Sequence, residues 1–449
     1  MTTYTIKKGF DLPLAGRPEL QLVDAPEAAR VAIETAEFPG IKPKALVKEG
    51  DLVQTGQPLF LDKSDRDLVW CSPVSGKVAR MDFGERRFLL RLVLDNVAVG
   101  GGKEQFAPMP KPEGDRAAVI KAIKNAGLWP LLRQRPIGKM ANSQKTPVAI
   151  FVNGMDTAPL AADPAFAVQG RKADLQAGVD LLKKLCGTVH LTLRAGGDHQ
   201  AELRDLKGVQ VHDFQGPHPS GLVGTHISRI QPLKTGEVAW TVTVQDLARL
   251  GEWARTGRYP AKVVVALGGS AAPARKYYRT RQSSSVAALN GGQPFTGDVR
   301  VICGTVLHGN VVGQDGCLGF YTGTVTVIPE GTGQRDLFGW ALPQFGKLSW
   351  HRSVFSWLAP KKEYVVDARL NGGHRPIVNL GAWEGVTPLD IHPSYLVRAI
   401  QANDVEEAVK LGLLEVTEED LALCTFVDPC KIDVGQVIRQ GLDMFEKEG

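Results

Sequence analysis

The stretch Val47-Lys-Glu-Gly50-Asp-Leu-Val-Gln-Thr-Gly56-Gln57 is answered by Ser72-Pro-Val-Ser-Gly76-Lys-Val78, and the two together decide the N-terminal fold. Each is a short β segment punctuated by glycine. Gly50 and Gly56 stand where a tight turn demands a positive φ, which glycine adopts without steric cost. Between them runs Leu61-Asp-Lys63-Ser-Asp-Arg-Asp67, charged and placed at a hairpin tip.

The paired halves resemble the folded hammerhead of biotinyl- and lipoyl-carrier domains, in which a lysine at the hairpin tip carries the cofactor. Lys63 falls near that tip. Its distance from Ser72 exceeds the lipoyl spacing, and Ser64, Asp65, Arg66 and Asp67 are expected to lengthen the tip. The carrier shape is expected without the carrier chemistry.

At 449 residues the chain is too long for one core, and three or four domains are expected. Hydrophobic content of 43% with 22% charged residues is ordinary for a globular protein. No run nears the roughly 18 apolar residues of a membrane span. The start, Met-Thr-Thr-Tyr-Thr-Ile-Lys-Lys, lacks a signal-peptide core, so a cytoplasmic location is expected. Six scattered cysteines (71, 186, 303, 317, 424 and 430) form no disulfide framework. Residues 404–449 hold 12 acidic and 4 basic side chains, a net of −8, so with the whole chain at +5 the rest carries +13. Such asymmetry implies different partners for the two ends. Nucleic acid is not among them. The densest basic cluster, Arg275, Lys276, Arg279 and Arg281 around Tyr277 and Tyr278, is short and has no accompanying motif.

Residues 100–114, rich in Gly, Pro and Lys, read as a linker. Strands and helices then alternate. Val148–Val152 is a strand closed by Asn153 and Gly154, Leu175, Val179 and Leu182 recur at helical spacing, and Gly187 is placed to end that helix. Val189–Leu193, Val209–Asp213 and Val263–Leu267 read as further buried strands of a parallel sheet. From Asp298 to Pro329, short β-branched runs parted by glycines predict a small β module. Beyond Phe345 helices are expected near Ser394–Ala402, Val405–Leu411, Glu418–Leu423 and Val434–Lys447.

Taken with Ile6-Lys-Lys-Gly-Phe-Asp-Leu-Pro-Leu-Ala-Gly16, Ala195-Gly-Gly-Asp198, Val211-His-Asp-Phe-Gln-Gly-Pro-His-Pro-Ser-Gly-Leu-Val-Gly-Thr-His-Ile227, Phe338-Gly-Trp340, Pro388-Leu-Asp-Ile391 and Glu418-Glu-Asp-Leu-Ala-Leu-Cys-Thr-Phe-Val427, these segments resemble the A-type subunit of the Na+-translocating NADH:quinone oxidoreductases (Na+-NQR). The resemblance spans nearly the whole chain. It implies an α/β multidomain protein related to the NADH/FMN-binding subunit of respiratory complex I and its Rnf relatives. The expected parts are a biotinyl/lipoyl-like barrel-sandwich hybrid over 1–100, a Rossmann-like α/β domain over 115–280, a β-grasp domain of the soluble-ligand-binding (SLBB) type over 285–335, and a helical domain over 345–449. The resemblance also implies five partner subunits, attachment to the membrane through them at the cytoplasmic face of the bacterial inner membrane, and ubiquinone as substrate. NADH, flavins and iron–sulfur clusters are expected in the partners, and the isolated chain is expected to be inactive.

The nucleotide-binding relatives need a glycine-rich loop whose backbone N–H groups approach phosphate closely. The matching segment here is Gly127-Leu-Trp-Pro-Leu-Leu-Arg-Gln-Arg-Pro-Ile-Gly138. Leu128, Trp129 and Leu131 are expected to fill the phosphate space, leaving Arg133, Arg135 and Lys139 as cations. Downstream, Asn153 and Asp156 are kept while Ala158 replaces an expected acid. No bound cofactor is therefore expected. Cys424 and Cys430 are too few for an iron–sulfur cluster, which usually takes four thiolates. His212, His218 and His226 are irregularly spaced in a Pro/Gly-stiffened loop and read as hydrogen-bonded imidazoles rather than metal ligands. Ser270 lacks a nucleophile elbow.

A quinone headgroup needs an apolar slot with one or two donors. Trp129, Leu132, Arg133 and Lys139 in the disused nucleotide pocket are the residues assigned to it. Between Asp336 and Leu358, Trp350, Val354, Trp357 and Leu358 fall on one face of an expected helix, suited to an interdomain core or a partner surface. The alternative function is an NADH-oxidising flavoprotein subunit of the complex I or Rnf kind, and a third is a covalent carrier modified at Lys63.

Overall fold

In the computed structural model the described residues are 2–313, 316–333, 346–352, 354–371, 373–378 and 381–448. The glycine-punctuated halves fold as expected. Gly50 and Gly56 both take positive φ, at 92° and 86°. A four-stranded sheet (Arg30–Glu34, Leu89–Asn96, Gly76–Phe83, Leu52–Val53) faces a three-stranded one (Pro43–Ala45, Pro58–Asp62, Asp65–Cys71). The hairpin tip is shorter than expected. Asp65 already begins the second strand, so Lys63 and Ser64 alone make the turn. The Asp62 carboxylate fixes it by accepting from the Ser64 N–H and hydroxyl and from the Lys42 N–H. Lys124 then pairs with Asp65, and Lys121 with Asp67 at 3.7 Å, tying this hairpin to the next domain.

That domain holds a six-stranded sheet in the order Thr2–Thr5, Gln210–Gln215, Val189–Arg194, Ala149–Asn153, Ala239–Thr243, Arg133–Arg135. Only Arg133–Arg135 runs antiparallel. Ala149, Ile150, Phe151 and Val152 are all fully buried, as strands covered on both faces require. Helices Lys172–Leu185 and Val244–Thr256 cross on one face, and their approach depends on two glycines. A Cβ at Gly251 would stand 1.8 Å from the Asp174 carbonyl oxygen, and one at Gly178 would stand 2.3 Å from that of Leu247. Gly187 directly follows the C-cap Cys186, where a helix-ending glycine is expected, but it has no left-handed backbone.

Two strands go where the sequence did not place them. Val263–Leu267 forms, as Lys262–Gly268, but pairs with Thr324–Pro329 and Tyr277–Arg281 in a second six-stranded sheet, not with the parallel one. Leu22–Asp24 closes the edge of that second sheet, beside Tyr277–Arg281. The 100–114 segment is strapped down rather than loose: the Pro110 carbonyl accepts from the Trp253 indole at 3.1 Å and that of Pro112 from Lys184 at 3.0 Å.

The C-terminal helices follow the sequence closely, at Pro393–Gln401, Val405–Lys410, Ala422–Val427 and Val434–Glu448, with a 3-10 turn at Glu418–Leu421. Leu12 and Leu14 join their apolar core. Among the described residues no helix is long and apolar enough to cross a membrane. The expected aromatic stripe does not form a helix. Among the described residues of the stretch only Phe355–Leu358 is helical, as a 3-10 segment followed closely by Pro360, which cannot donate a helical hydrogen bond. Trp350 packs edge-on against Phe10 at 5.1 Å, whereas Trp357 and Leu358 are 51% and 59% exposed. The portion of this stretch within 334–345, including Phe338 and Trp340, lies outside the described residues.

Thermal melts of Trp357→Ala should match the parent within about 0.5 kcal/mol, whereas Trp350→Ala should lose roughly 2 kcal/mol. At the helix crossing, Gly251→Val should destabilise by about 3 kcal/mol in urea titrations. Gly187→Ala, with open space around it, serves as the neutral control. Equal effects of the two glycine substitutions would contradict the close-approach argument.

Candidate functional site

The parallel sheet grows outward in one direction from Ala149–Asn153 through Val189–Arg194 to Gln210–Gln215, then returns to place Ala239–Thr243 on the opposite side. The chain order therefore reverses between Ala149–Asn153 and Ala239–Thr243. In open α/β sheets such a reversal leaves a crevice at the carboxyl ends of the strands, where ligands bind. A cavity of about 630 Å³ lies there, with Asp156 and Ala158 following one strand and Gln245 and Asp246 following the other.

All four parts of the chain wall this cavity. The hammerhead contributes Glu34, Glu37 and Phe38, and the second sheet contributes residues from 303–309 and 318–324. The C-terminal domain adds Glu418, Glu419 and Arg439. One wall is aromatic. Phe38 meets Phe320 edge to face at 5.1 Å, and Phe320 meets Tyr321 at 5.0 Å. The Tyr321 hydroxyl donates to the Pro130 carbonyl at 2.9 Å, which fixes the ring. The Arg133 guanidinium lies 5.4 Å from the centre of that ring, a cation–π arrangement.

Glu37 sits beside this wall. Its carboxylate accepts the Phe320 N–H at 2.6 Å, and the space it occupies exists because residue 319 is glycine: a Cβ there would be 2.7 Å from Oε2. Burial pushes its carboxyl up to about 8, with the neighbouring Glu34 charge acting the same way and the Phe320 N–H opposing. Across the cavity, burial raises Asp156 to about 6 against the pull of the Ala158 N–H. Burial also drives His218 down to about 4, so its imidazole is neutral.

The four residues assigned from sequence divide into two pairs. Arg133 and Lys139 line the cavity. Trp129 and Leu132 do not: both are fully buried in the core shared with the hammerhead. The Trp129 indole donates to the Ala141 carbonyl at 2.8 Å and meets Trp240 edge-on at 5.3 Å. The same holds for Leu128 and Leu131, expected to fill the phosphate space. Residues 127–132 wedge against the hammerhead strand, where a Cβ at Gly127 would stand 2.7 Å from the Cys71 sulfur. The bulky side chains thus fill an interdomain core, and the switch-point cavity stays open. Lys139 is held by Asp443 at 3.1 Å and by Glu446, whose carboxylates raise its ammonium against partial desolvation.

The three histidines are hydrogen-bonded as read, but they do not share a loop: His212 lies on the strand Gln210–Gln215 and His226 in the helix Val223–Ile230, with His218 between them. His226 donates through Nε2 to the Ser220 carbonyl and accepts the Thr192 hydroxyl at Nδ1. His218 pairs with the Thr157 hydroxyl at 3.1 Å, and His212 with His190 at 3.1 Å. Among the described residues no group of three His, Cys, Asp or Glu is placed to hold a metal ion. Cys424 and Cys430 are buried free thiols, and burial raises Cys424 to about 12.

Three family models match this chain: an NqrA N-terminal barrel-sandwich hybrid domain over residues 4–97, an NqrA second alpha/beta domain over 114–259, and an NQRA C-terminal domain over 264–313. The A-type subunit of the Na(+)-translocating NADH-quinone reductase of Neisseria meningitidis serogroup A is 40% identical over 99% of both chains. Its counterparts in Actinobacillus succinogenes and Hahella chejuensis are each 39% identical, over 99% of this chain and 100% and 99% of theirs. The chain belongs to the NqrA family. Among solved structures, an NAD+-reducing [NiFe]-hydrogenase aligns with a TM-score of 0.36 and 12% identity, over 68% of this chain and 55% of that one, a likeness too slight to bear on function.

Sequence reasoning missed Glu37, Phe38, Phe320 and Tyr321, because the α/β domain supplies none of them. The one signal was Gly319-Phe-Tyr-Thr-Gly323, an aromatic pair bracketed by glycines.

Glu37 makes stability depend on pH. The folded carboxyl keeps its proton to about pH 8, whereas the unfolded one releases it near 4.5. Its contribution is complete below pH 4.5 and is lost as pH rises through 8. Urea midpoints between about pH 5 and 8.5 should therefore fall for the parent relative to Glu37→Gln. Parallel curves would show that the carboxyl is not desolvated.

Proposed function

We propose that this chain is a peripheral subunit of a Na+-translocating NADH:ubiquinone reductase, lying on the cytoplasmic face of the membrane, and that its switch-point cavity receives the quinone headgroup. The complex would pass electrons from NADH to ubiquinone and export Na+. Five partner subunits would hold the flavins and iron–sulfur centres and anchor the chain to the membrane. The supporting observation is the cavity itself. Its volume falls within the roughly 300–1,000 Å³ of small-molecule sites, and it joins an aromatic wall to a few polar groups. A flat, neutral ring suits the Phe320–Tyr321 wall, with Arg133 and Glu37 within the same cavity to meet its carbonyl oxygens. Trp129 and Leu132 serve this site only from behind, by holding the segment that carries Arg133.

The other reading, an NADH-oxidising flavoprotein subunit, has one observation on its side: dinucleotides also bind at such switch points. Opposing it, segment 127–138 packs its bulky residues into the core and presents no glycine-rich phosphate loop.

Titrating a short-chain ubiquinone into the purified chain should quench tryptophan fluorescence saturably, with Trp70 lying 5.1 Å from Phe38 as a reporter. Arg133→Ala and Tyr321→Ala should each weaken binding about tenfold, the ~1.4 kcal/mol of one good polar or stacking contact. No saturable change in the parent chain would overturn the reading. NADH titration under the same conditions tests the flavoprotein alternative.

A further inference from the structure

We infer that Glu37 is the acid that delivers a proton to a quinone carbonyl oxygen in this cavity. The inference rests on the quinone reading above and adds the residue that performs the proton transfer. The geometry carries it. Glu37 lines the cavity beside Phe38, Phe320 and Tyr321, so a ring stacked on that wall would bring its oxygens to the carboxyl. The Phe320 N–H holds Oε2 in place, which fixes the group without neutralising it. Gly319 leaves the room it needs.

The surroundings keep the proton on the carboxyl at neutral pH. Among the described residues no cation lies within ion-pair distance of Glu37, and the arginines around the cavity have other partners. Arg91 is committed to Glu34 at 3.6 Å, Arg249 to Asp246 at 3.1 Å, and Arg133 lies over Tyr321. The remaining titratable neighbours are Cys303, Cys317 and the Tyr321 phenol, all held neutral by burial. Asp156, Glu418 and Glu419 line the cavity elsewhere, with Glu419 bound to Arg135 and Glu418 to Arg439. A protonated carboxylic acid facing an apolar wall is the form that general-acid catalysis uses.

The step balances. Reduction of a quinone to a hydroquinone takes two electrons, supplied through the complex by NADH, and two protons. The Glu37 O–H bond breaks as an O–H bond forms on one carbonyl oxygen, leaving Glu37 as carboxylate. Water entering the cavity returns a proton to it, and the second proton comes from solvent.

The test uses the assembled complex carrying Glu37→Gln or Glu37→Asp, with short-chain ubiquinone as the varied substrate. For Glu37→Gln, kcat should fall about 100-fold, the lower end for loss of a general acid, while KM for quinone stays within about threefold. The alkaline fall in parental kcat, centred near pH 8, should vanish in Glu37→Gln and persist, shifted, in Glu37→Asp. If both variants lose the same activity and keep the parental pH profile, the carboxylate merely braces the loop and the inference fails. If Glu37→Gln turns over like the parent although the chain binds quinone, the inference fails while the quinone reading stands. If the parental chain binds no quinone, both fall.

Discussion

The structure turns on one buried guanidinium. Arg135, 5% exposed, ends the antiparallel edge strand of the α/β domain and reaches into the C-terminal domain to pair with Glu419 at 3.0 Å and Asp420 at 2.5 Å. Asp420 also closes a capping box with Thr417, so the same carboxylate starts a helical turn and anchors it across a domain boundary. Removing one partner of such a buried network costs about 3–5 kcal/mol, because the other charges are left desolvated. Its structural consequence is placement. Glu418 and Glu419 can wall the cavity only while Arg135 holds their turn against the sheet.

A second clamp does the same for the hammerhead. Arg281, 6% exposed, ends a strand of the second sheet and binds Glu27 and Glu104, both at 2.7 Å, one on each side of the hammerhead strands. The first arginine joins the α/β domain to the C-terminal domain, the second joins the second sheet to the hammerhead, and residues of all four wall the cavity. Its working groups come from separate folding units: the acid from the hammerhead, the aromatic wall largely from the second sheet, and a cation from the α/β domain. Such a site is sensitive to domain placement, and fixed ionic clamps are a direct way to hold it.

Much of this was legible in the sequence and some was not, for identifiable reasons. The turns at Gly50 and Gly56, the buried strand ending at Asn153 and the C-terminal helices rest on local rules of φ, periodicity and capping, and they formed where expected. Val263–Leu267 was recognisable as a strand, yet its sheet was not, because neighbours in a sheet are chosen by contacts distant in sequence. Trp129 and Leu132 share the segment of Arg133, but composition does not say which way a side chain points. The indole turned toward Trp240 and the guanidinium toward Tyr321. Glu37 had no local signature at all, since its environment is made by Gly319 and by Phe320, which lies 283 residues away in the chain.

The charges around the cavity bear on what it takes. A dinucleotide brings a diphosphate, which needs free cations or a cradle of backbone N–H groups. Here Lys139 is committed to Asp443 and Glu446, Arg439 to Glu418, and Arg249 to Asp246. Arg133 donates to the Gly138 carbonyl at 2.7 Å and rests on an aromatic face. The acids Glu34, Asp156, Asp246, Glu418 and Glu419 meanwhile surround the same space. A diphosphate entering it would meet carboxylates whose cations are already engaged, and Arg133 would offset part of the like-charge repulsion at most. A neutral ring with two carbonyl oxygens meets no such penalty. It needs only donors, which Arg133 and a protonated Glu37 supply, and a flat apolar surface, which Phe320 and Tyr321 provide.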